Sequence, residues 1–128
     1  MPKQIIQTEN APAPVGAYNQ ATLANGTLYV SGQIALDPTS GELLTKDIET
    51  ETRRVMDNLQ AIVEAGGSSM SQVLKCEVFV SDMEDFSRIN TVYATYFDEA
   101  TAPARALVQV ANLPKYVNVE ISCIALVD

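Results

Sequence analysis

Histidine and tryptophan are absent from the 128-residue sequence, and only two cysteines occur. The lack of histidine excludes the commonest general base of enzymes, the usual partner of serine and cysteine nucleophiles, and most zinc-site designs. Cys76 and Cys123 each lie inside an apolar run rather than in a Cys-x-x-Cys pair. We therefore expect two buried thiols in a reducing compartment, with no disulfide and no metal site.

Positive charge is also scarce, because 8 Lys and Arg residues face 16 Asp and Glu residues and give a formal net charge of −8. Binding to nucleic acid relies on clustered cations, and the one adjacent pair here, Arg53-Arg54, lies in a predicted helix. No run is apolar and long enough for a membrane span or a secretory signal. The composition, with 47% hydrophobic residues, favours a single domain over residues 1–128 and a cytoplasmic protein without nucleic-acid or membrane partners.

Strand patterns recur along the chain. Alternation with a period of two, typical of half-buried strands, covers residues 27–35, 73–80, 105–110 and 116–123. Asn25-Gly26 predicts a tight hairpin, whose first strand we expect to begin near Val15. A short edge strand is expected at Gln4 to Gln7. Gly32 interrupts the strand after the hairpin, which is typical of a bulge or of a ligand close to the backbone, and equally of a plain packing constraint.

Two stripes of apolar residues at helical spacing lie between these strands. The first begins after a capping residue, Thr45 or Asp47, and ends at Gly66-Gly67. The second begins near Asp85, and we expect its aromatic stripe to be core and not a platform for a ligand. The resulting order of strands and helices predicts an α+β domain. We expect one mixed, mainly antiparallel sheet with both helices packed on one face.

Two charged residues stand in strands that are otherwise mostly apolar. Arg105 shares a strand face with Leu107 and Gln109, and Glu120 stands on the more polar face of the last strand. Isolated charges in such positions are costly unless they are paired or used. Two interpretations stay open at this point, a structural ion pair and a functional site.

The sheet face opposite the helices is expected to be partly apolar. We place on it, beside Arg105 and Glu120, the residues Tyr29, Phe79, Leu107, Ile124 and Leu126. A surface of this kind is unusual on a monomer, so it predicts association with further copies of the chain.

Five segments carry a specific likeness. They are Tyr18 in VGAYNQA, the SGQI run that begins at Ser31, Asn90 in INTVYATYF, the Pro103-Ala104-Arg105 run, and the closing VEI around Glu120. Together, and in register over essentially the whole chain, they resemble the RidA (YjgF) family of reactive-intermediate deaminases. The pairing of PAR with VEI is the most specific part.

The resemblance implies a chorismate-mutase-like fold and a homotrimer with sites in the clefts between subunits. It implies hydrolysis of 2-imino acids, or of enamine tautomers such as 2-aminoacrylate, which PLP-dependent dehydratases release. The products are a 2-keto acid and ammonia, and no cofactor is needed. By position, Arg105 would grip the substrate carboxylate, and Glu120 would hold or activate the attacking water.

The remaining residues carried over by position are Tyr18, Ser31, Gly32 and Asn90, which would line or adjoin the pocket. Each also has a structural interpretation: an interface aromatic for Tyr18, a hydroxyl satisfied by backbone for Ser31, and a polar contact on a helix face for Asn90. Leu107 stands where the family commonly has Cys, and Ala17 and Ala35 stand where it commonly has Pro. Any role of a thiol at 107 is lost but main-chain groups remain there, so deamination stays open, and the three departures leave the substrate preference undetermined.

Two further functions stay open. One is a non-catalytic trimeric binding module or chaperone, for small keto or amino acids or for unfolded clients. The other is a ribonuclease or translation inhibitor, an activity attached to some relatives. The acidic charge and the missing histidine speak against RNA chemistry.

Overall fold

The computed structural model describes residues 2–128, and its strands and helices follow the predicted order. Within these residues the elements are β1 (Gln4–Ile6), β2 (Ala21–Ala24), β3 (Thr27–Gln33), α1 (Ile48–Ala65), β4 (Val73–Val80), α2 (Phe86–Ala94), β5 (Ala104–Gln109) and β6 (Val119–Leu126). None of the helices in residues 2–128 has the length and hydropathy needed to cross a bilayer.

All six strands form one sheet, in the order β1-β2-β3-β6-β4-β5. Neighbouring strands are antiparallel except β4 and β5, which run parallel and are joined through α2. The predicted α+β class with one mixed, mainly antiparallel sheet is therefore confirmed. Strand β5 lies at an edge of this sheet.

The hairpin between β2 and β3 turns at Asn25-Gly26, as the sequence predicts. Both residues have positive φ values, 51° and 75°, which suit the two-residue turn that pairs Ala24 with Thr27. The expectation that β2 begins near Val15 is wrong. Residues 15–20 form a loop, and β2 has only four residues.

Helix α1 begins and ends where the sequence predicts. The Asp47 carboxylate accepts the Thr50 N–H at 2.7 Å, and Gly67 takes a positive φ of 88° after the last turn. Its apolar stripe is fully buried against β3 and β6. The core on this side of the sheet includes Leu28, Val55, Leu59, Ile62, Val78, Val80 and Ile121.

The other face of the sheet carries exposed or half-buried apolar residues. Tyr29, Val108 and Leu126 are among the most exposed large apolar side chains, and Ile124 and Phe79 lie beside them on the same face. Lys75, Glu77 and Ser122 also lie on it. We call this surface the open face.

Arg105 and Leu107 do not belong to the open face, and our expectation for them is wrong. Arg105 is opposite Cys76 and Leu107 is opposite Val78, so both side chains point to the helix side with these core residues. The period of two correctly predicted that Arg105 and Leu107 share a face. It could not tell which face, because that depends on the pairing of β5 with β4, a contact between distant parts of the chain.

Candidate active site

A cavity of about 400 Å³ lies beside Glu120. Of the predicted site residues, Tyr18, Ser31, Gly32 and Glu120 line it. Its other walls are mostly apolar and come from the segment before β2, the segment after β3 and the loop before β6: Pro12, Ala13, Val15, Ile34, Leu36 and Pro114. One carboxylate therefore stands in a mainly hydrophobic hollow, which we call the Glu120 half-site.

Glu120 is half-buried on the open face, opposite Phe79 of β4. Burial raises the pKa of its carboxyl group above the ordinary value. A carboxylate with a raised pKa is a better proton acceptor from water than an exposed one. The group is thus suited to general-base chemistry.

Because Gly32 has no side chain, the Glu120 side chain can occupy the space next to it. Ser31 and Gly32 form a bulge, because Val30 pairs with Cys123 and Gln33 pairs with Ile121, which leaves two residues of β3 opposite one residue of β6. A Cβ atom at Gly32 would lie 2.9 Å from the carboxyl carbon of Glu120. Of the interpretations that the sequence left open for Gly32, the bulge is present, and it brings the backbone close to the Glu120 side chain.

The Ser31 and Tyr18 hydroxyl groups both contact backbone. Ser31 Oγ donates to the Asn19 carbonyl at 2.6 Å, while the Tyr18 hydroxyl accepts the Val15 N–H at 3.3 Å. The interpretation of Ser31 as a hydroxyl satisfied by backbone is therefore correct for its proton. Its oxygen retains lone pairs that can accept a hydrogen bond from a ligand.

Two features of this half-site were not predicted. Lys115 lines the cavity, and both Lys115 and Tyr116 have a positive φ of 55° in the turn before β6. The buried side chain of Gln20 holds the preceding loop, donating from Nε2 to the Pro12 carbonyl at 2.9 Å and accepting the Thr8 N–H at 2.7 Å. Neither Lys115 nor Gln20 falls in a periodic pattern that would have marked it.

A second cavity, of about 580 Å³, surrounds Arg105 on the helix side at the β5 edge. Arg105 Nη1 donates to Asn90 Oδ1 at 2.7 Å. The guanidinium lies over the ring of Tyr93, with 4.9 Å from Cζ to the ring centroid, and 5.7 Å from the ring of Phe86. This is the Arg105 half-site.

Helix α2 orients Arg105 through one face. Phe86, Asn90 and Tyr93 stand at positions i, i+4 and i+7, which a helix brings to the same side. From the sequence, the aromatic stripe is core, and Asn90 is either a pocket residue or a surface contact. The stripe is core only in part, because Phe86 is exposed and both rings stack on the guanidinium. The helical spacing that puts Phe86 and Tyr93 on the same face as Asn90 is the sequence signal that could have revealed their contact with Arg105.

Both thiols lie beneath this half-site and are buried. Burial raises the pKa of Cys76 and of Cys123, so neither is poised as a thiolate nucleophile. Burial, together with the neighbouring Cys76, also raises the pKa of Tyr93, whose hydroxyl has no hydrogen-bond partner within residues 2–128. The chemistry that this half-site offers is the binding of an anion by Arg105.

The two half-sites lie on opposite faces of the sheet. Glu120 is opposite Phe79, and Phe79 is opposite Val108, so Glu120 shares its face with Val108 and not with Arg105. Arg105 is three positions away from Val108 along β5 and points the other way. The structural ion pair considered from the sequence is therefore not formed within the chain.

The seven predicted site residues thus divide into two groups with one outlier. Tyr18, Ser31, Gly32 and Glu120 lie at one half-site, and Asn90 and Arg105 lie at the other. Leu107 lines neither cavity and packs at the margin of the core, and a part for it in substrate binding stays a prediction. In the described part of the chain, no cluster of three or more Cys, Asp or Glu side chains is suited to holding a metal ion.

Comparison with known proteins gives consistent matches over almost the whole length. The sequence profile of the family described as Endoribonuclease L-PSP matches residues 8–127. A RutC family protein from Synechocystis sp. is 51% identical over 126 residues, which covers 98% of this chain and 97% of the relative. The 2-iminobutanoate/2-iminopropanoate deaminase of Rattus norvegicus is 44% identical over 123 residues, which covers 96% of this chain and 89% of the relative.

Solved structures agree with these relatives. E. coli TdcF with bound serine matches with a TM-score of 0.92 at 41% sequence identity, covering 98% of this chain and 99% of the other. RidA from the Antarctic bacterium Psychrobacter sp. matches with the same TM-score at 43% identity, covering 97% and 99%. The chain is therefore similar to these proteins in both fold and sequence.

Proposed function

The chain belongs to the Endoribonuclease L-PSP family, which includes the RidA and RutC proteins, and from this premise we propose that it hydrolyses 2-imino acids and their enamine tautomers to 2-keto acids and ammonia. Rodent relatives named 2-iminobutanoate/2-iminopropanoate deaminase support the general reaction. The observation that carries the residue assignment is the division of the pocket residues into an Arg105 half-site and a Glu120 half-site on opposite faces of one sheet.

Arg105 binds the substrate carboxylate in this proposal. A guanidinium presents five N–H donors in a planar fork, and one of them is already directed to Asn90. The remaining donors suit a carboxylate, which accepts two parallel charge-assisted bonds that fix orientation as well as charge. The rings of Phe86 and Tyr93 hold the fork in place without competing for its donors.

Glu120 supplies the base. A water molecule held by its carboxylate gives up a proton to Glu120 while the water oxygen forms a bond to the imine carbon. As that bond forms, the C=N electron pair moves to the nitrogen of the protonated imine, which becomes an amine. The protonated Glu120 returns its proton to this nitrogen. The Glu120 carboxylate then takes the proton of the new hydroxyl group while the carbon–nitrogen bond breaks, so that ammonia and the 2-keto acid leave and Glu120 passes its proton to solvent. Ser31 and the Gly32 backbone lie close enough to the carboxylate to help hold the water or the substrate.

The required catalysis is modest, because imines already hydrolyse in water. A thousandfold acceleration corresponds to about 4 kcal/mol of barrier reduction, which orientation and one general base can supply. This chemistry also explains how a chain without histidine could serve as a hydrolase.

We further infer that the complete site forms between copies of the chain. Within one chain the sheet separates the carboxylate-binding group from the base, so a single substrate contacts both only if another copy supplies one of them. The apolar residues of the open face, including Tyr29, Val108 and Leu126, offer the surface for such association. A closed ring of three copies would bury this face and place one Arg105 half-site against each Glu120 half-site.

The proposed physiological source of substrate is a PLP-dependent dehydratase that releases an enamine from serine or threonine. The test mixes the protein with a threonine dehydratase and either amino acid, with semicarbazide present to trap free imine. Wild-type protein is expected to increase keto-acid release and to reduce semicarbazone formation. The proposal fails if the protein has no effect, or if Arg105→Ala accelerates the reaction as much as wild type does.

A second function, a non-catalytic binding module or chaperone, is favoured only by the partly apolar open face. Calorimetry separates it from the first. Tight binding of 2-oxobutyrate together with no turnover of imine would favour the binding module.

A further inference from the structure

The first turns of α1 bury a carboxylate that the proposed chemistry does not use. Glu51 has no exposed surface. Its Oε2 atom accepts the Asn118 N–H at 2.7 Å and the Val119 N–H at 3.2 Å, and its Oε1 atom accepts Asn118 Nδ2 at 2.8 Å. The carboxylate is thus satisfied entirely by the segment that opens β6.

Helix capping does not account for Glu51. The cap is Asp47, whose carboxylate accepts the Thr50 N–H and the Thr50 hydroxyl. For burial alone, an apolar side chain of similar size would serve at least as well, because removing a charge from water is costly. What the carboxylate adds is a fixed position for two backbone N–H groups.

Those N–H groups immediately precede Glu120. Val119 points into the core and Glu120 points to the open face, so the backbone at Asn118 and Val119 sets where the Glu120 side chain begins. The Glu120 carboxyl group lies against Gly32 so closely that a methyl group there would overlap it. Small displacements at the start of β6 are therefore transmitted directly to the carboxylate.

Helix α1 also holds the strand on the other side of this contact. Asn58 lies two turns after Glu51 on the same side of the helix and is fully buried. Its Nδ2 atom donates to the carbonyl groups of Ile34 at 3.2 Å and Leu36 at 2.9 Å, just after β3. One helix therefore fixes two of the three chain segments that frame the Glu120 half-site.

We propose that Glu51 is a positioning residue that holds the Glu120 carboxylate over Gly32 by fixing the Asn118–Val119 backbone. This inference rests on the proposed deaminase function for its kinetic consequence. The Glu51 contacts go to Asn118 and Val119, and none of them involves Arg105, Asn90 or another residue that lines the Arg105 half-site. Loss of Glu51 should hence lower kcat and leave KM almost unchanged.

The experiment compares Glu51→Gln, Glu51→Met and the control Thr52→Val. The glutamine side chain of the first variant can accept both backbone N–H groups with its carbonyl if the Asn118 amide turns over, whereas the methionine side chain of the second accepts neither. Thr52 is equally buried and one position along, but its hydroxyl bonds only to the Ile48 carbonyl, at 2.8 Å. Rates are measured over a range of imine supply, and crystal structures of the variants locate Glu120.

We expect Glu51→Met to lower kcat about 10- to 100-fold with KM within about twofold, since misplacing a catalytic group by 1 Å can cost about a hundredfold. Glu51→Gln should stay within about threefold of wild type, and Thr52→Val should leave kcat unchanged. The inference is overturned if Glu51→Met keeps its kcat, if KM rises as much as kcat falls, if Glu51→Gln is no better than Glu51→Met, or if Thr52→Val loses as much.

Two further measurements cover the cases in which Glu51→Met does not fold or wild type has no deaminase turnover. If the Glu51→Met chain does not fold, Asn118→Ala removes the bond at Glu51 Oε1 and keeps the two backbone N–H bonds. It also removes the bond that Asn118 Oδ1 accepts from Ser81 Oγ at 3.3 Å, so Ser81→Ala is its control. Asn118→Ala should lower kcat about two- to fivefold at constant KM while Ser81→Ala leaves kcat unchanged; an unchanged kcat in Asn118→Ala, or an equal loss in Ser81→Ala, overturns the inference. If wild type has no deaminase turnover, the proposed function fails separately. The crystal structures then decide: in Glu51→Met, or in Asn118→Ala if Glu51→Met does not fold, a displaced Glu120 carboxylate supports positioning by Glu51, and an unmoved one overturns it.

Discussion

Replacing Gly32 by alanine should lower activity about a hundredfold while leaving the fold intact. The added Cβ atom would lie 2.9 Å from the carboxyl carbon of Glu120, 2.9 Å from its Oε2 and 3.1 Å from its Cγ. Carbon atoms pack at about 3.5–4.0 Å, so the carboxyl group must move by roughly 0.6–1 Å. A displacement of 1 Å costs on the order of a hundredfold in rate, or about 2.7 kcal/mol of barrier.

The stability of the Gly32→Ala chain should change little. Gly32 is not among the glycines with positive φ, and the atoms that must shift belong to the end of a flexible side chain. Alanine at a compatible position also lowers the entropy of the unfolded chain, so we expect a change in the free energy of unfolding of less than about 1 kcal/mol. The Gly32→Ala variant therefore separates an effect on activity from an effect on stability.

The assay is keto-acid release from the dehydratase mixture, with thermal unfolding in parallel. Gly16→Ala is the matched control, because its Cβ atom would meet only the Tyr18 ring at an ordinary 3.6 Å. Since the effect of Gly32→Ala acts through Glu120, it should add nothing in a Glu120→Ala background. Full activity of Gly32→Ala, or an additive loss in the double variant, would refute the reasoning.

Four further predictions concern the two half-sites. Arg105→Lys keeps the charge but loses the fork and its stacking, so kcat/KM for imine hydrolysis should fall about 10- to 100-fold, whereas an unchanged value would remove Arg105 from carboxylate binding. Asn90→Ala removes one bond to the guanidinium, and KM should rise about fivefold at constant kcat; a loss confined to kcat would contradict the orienting role. Because burial raises the pKa of Glu120, activity should fall as the pH decreases through a value above 4.5, and the acidic limb should vanish in Glu120→Gln, which retains at most residual turnover. The raised pKa also means that the charged Glu120 carboxylate destabilises the folded chain at pH values above that pKa. Glu120→Gln should therefore raise the Tm at pH 7 and leave it unchanged below pH 4.5. An equal rise in Tm at both pH values would contradict this prediction.

The sequence predicted the fold well because its signals are local. Asn25-Gly26 specifies its own turn, and the cap at Asp47 and the stop at Gly66-Gly67 specify the ends of α1. Alternation within each strand correctly grouped Arg105 with Leu107. Each of these features depends on residues only a few positions apart.

The division of the site was not predictable in this way, because it depends on long-range pairing. The face to which Arg105 points follows from the register of β5 against β4, and β5 is an exposed edge strand with a charged residue on its helix side. Burial of Glu51 depends on partners 67 and 68 positions away. Such polar contacts leave no periodic signal in the sequence.

The central claim, a site completed between copies of the chain, is tested most directly by mixing two inactive variants. Arg105→Ala and Glu120→Ala chains are unfolded together in equal amounts, refolded, and assayed beside each variant treated alone. If each site takes Arg105 from one copy and Glu120 from another, random assembly leaves both residues intact at about a quarter of the sites, and about a quarter of wild-type activity should return. Activity no higher than that of the separate variants, from mixed assemblies of the same size as wild type, would contradict the account.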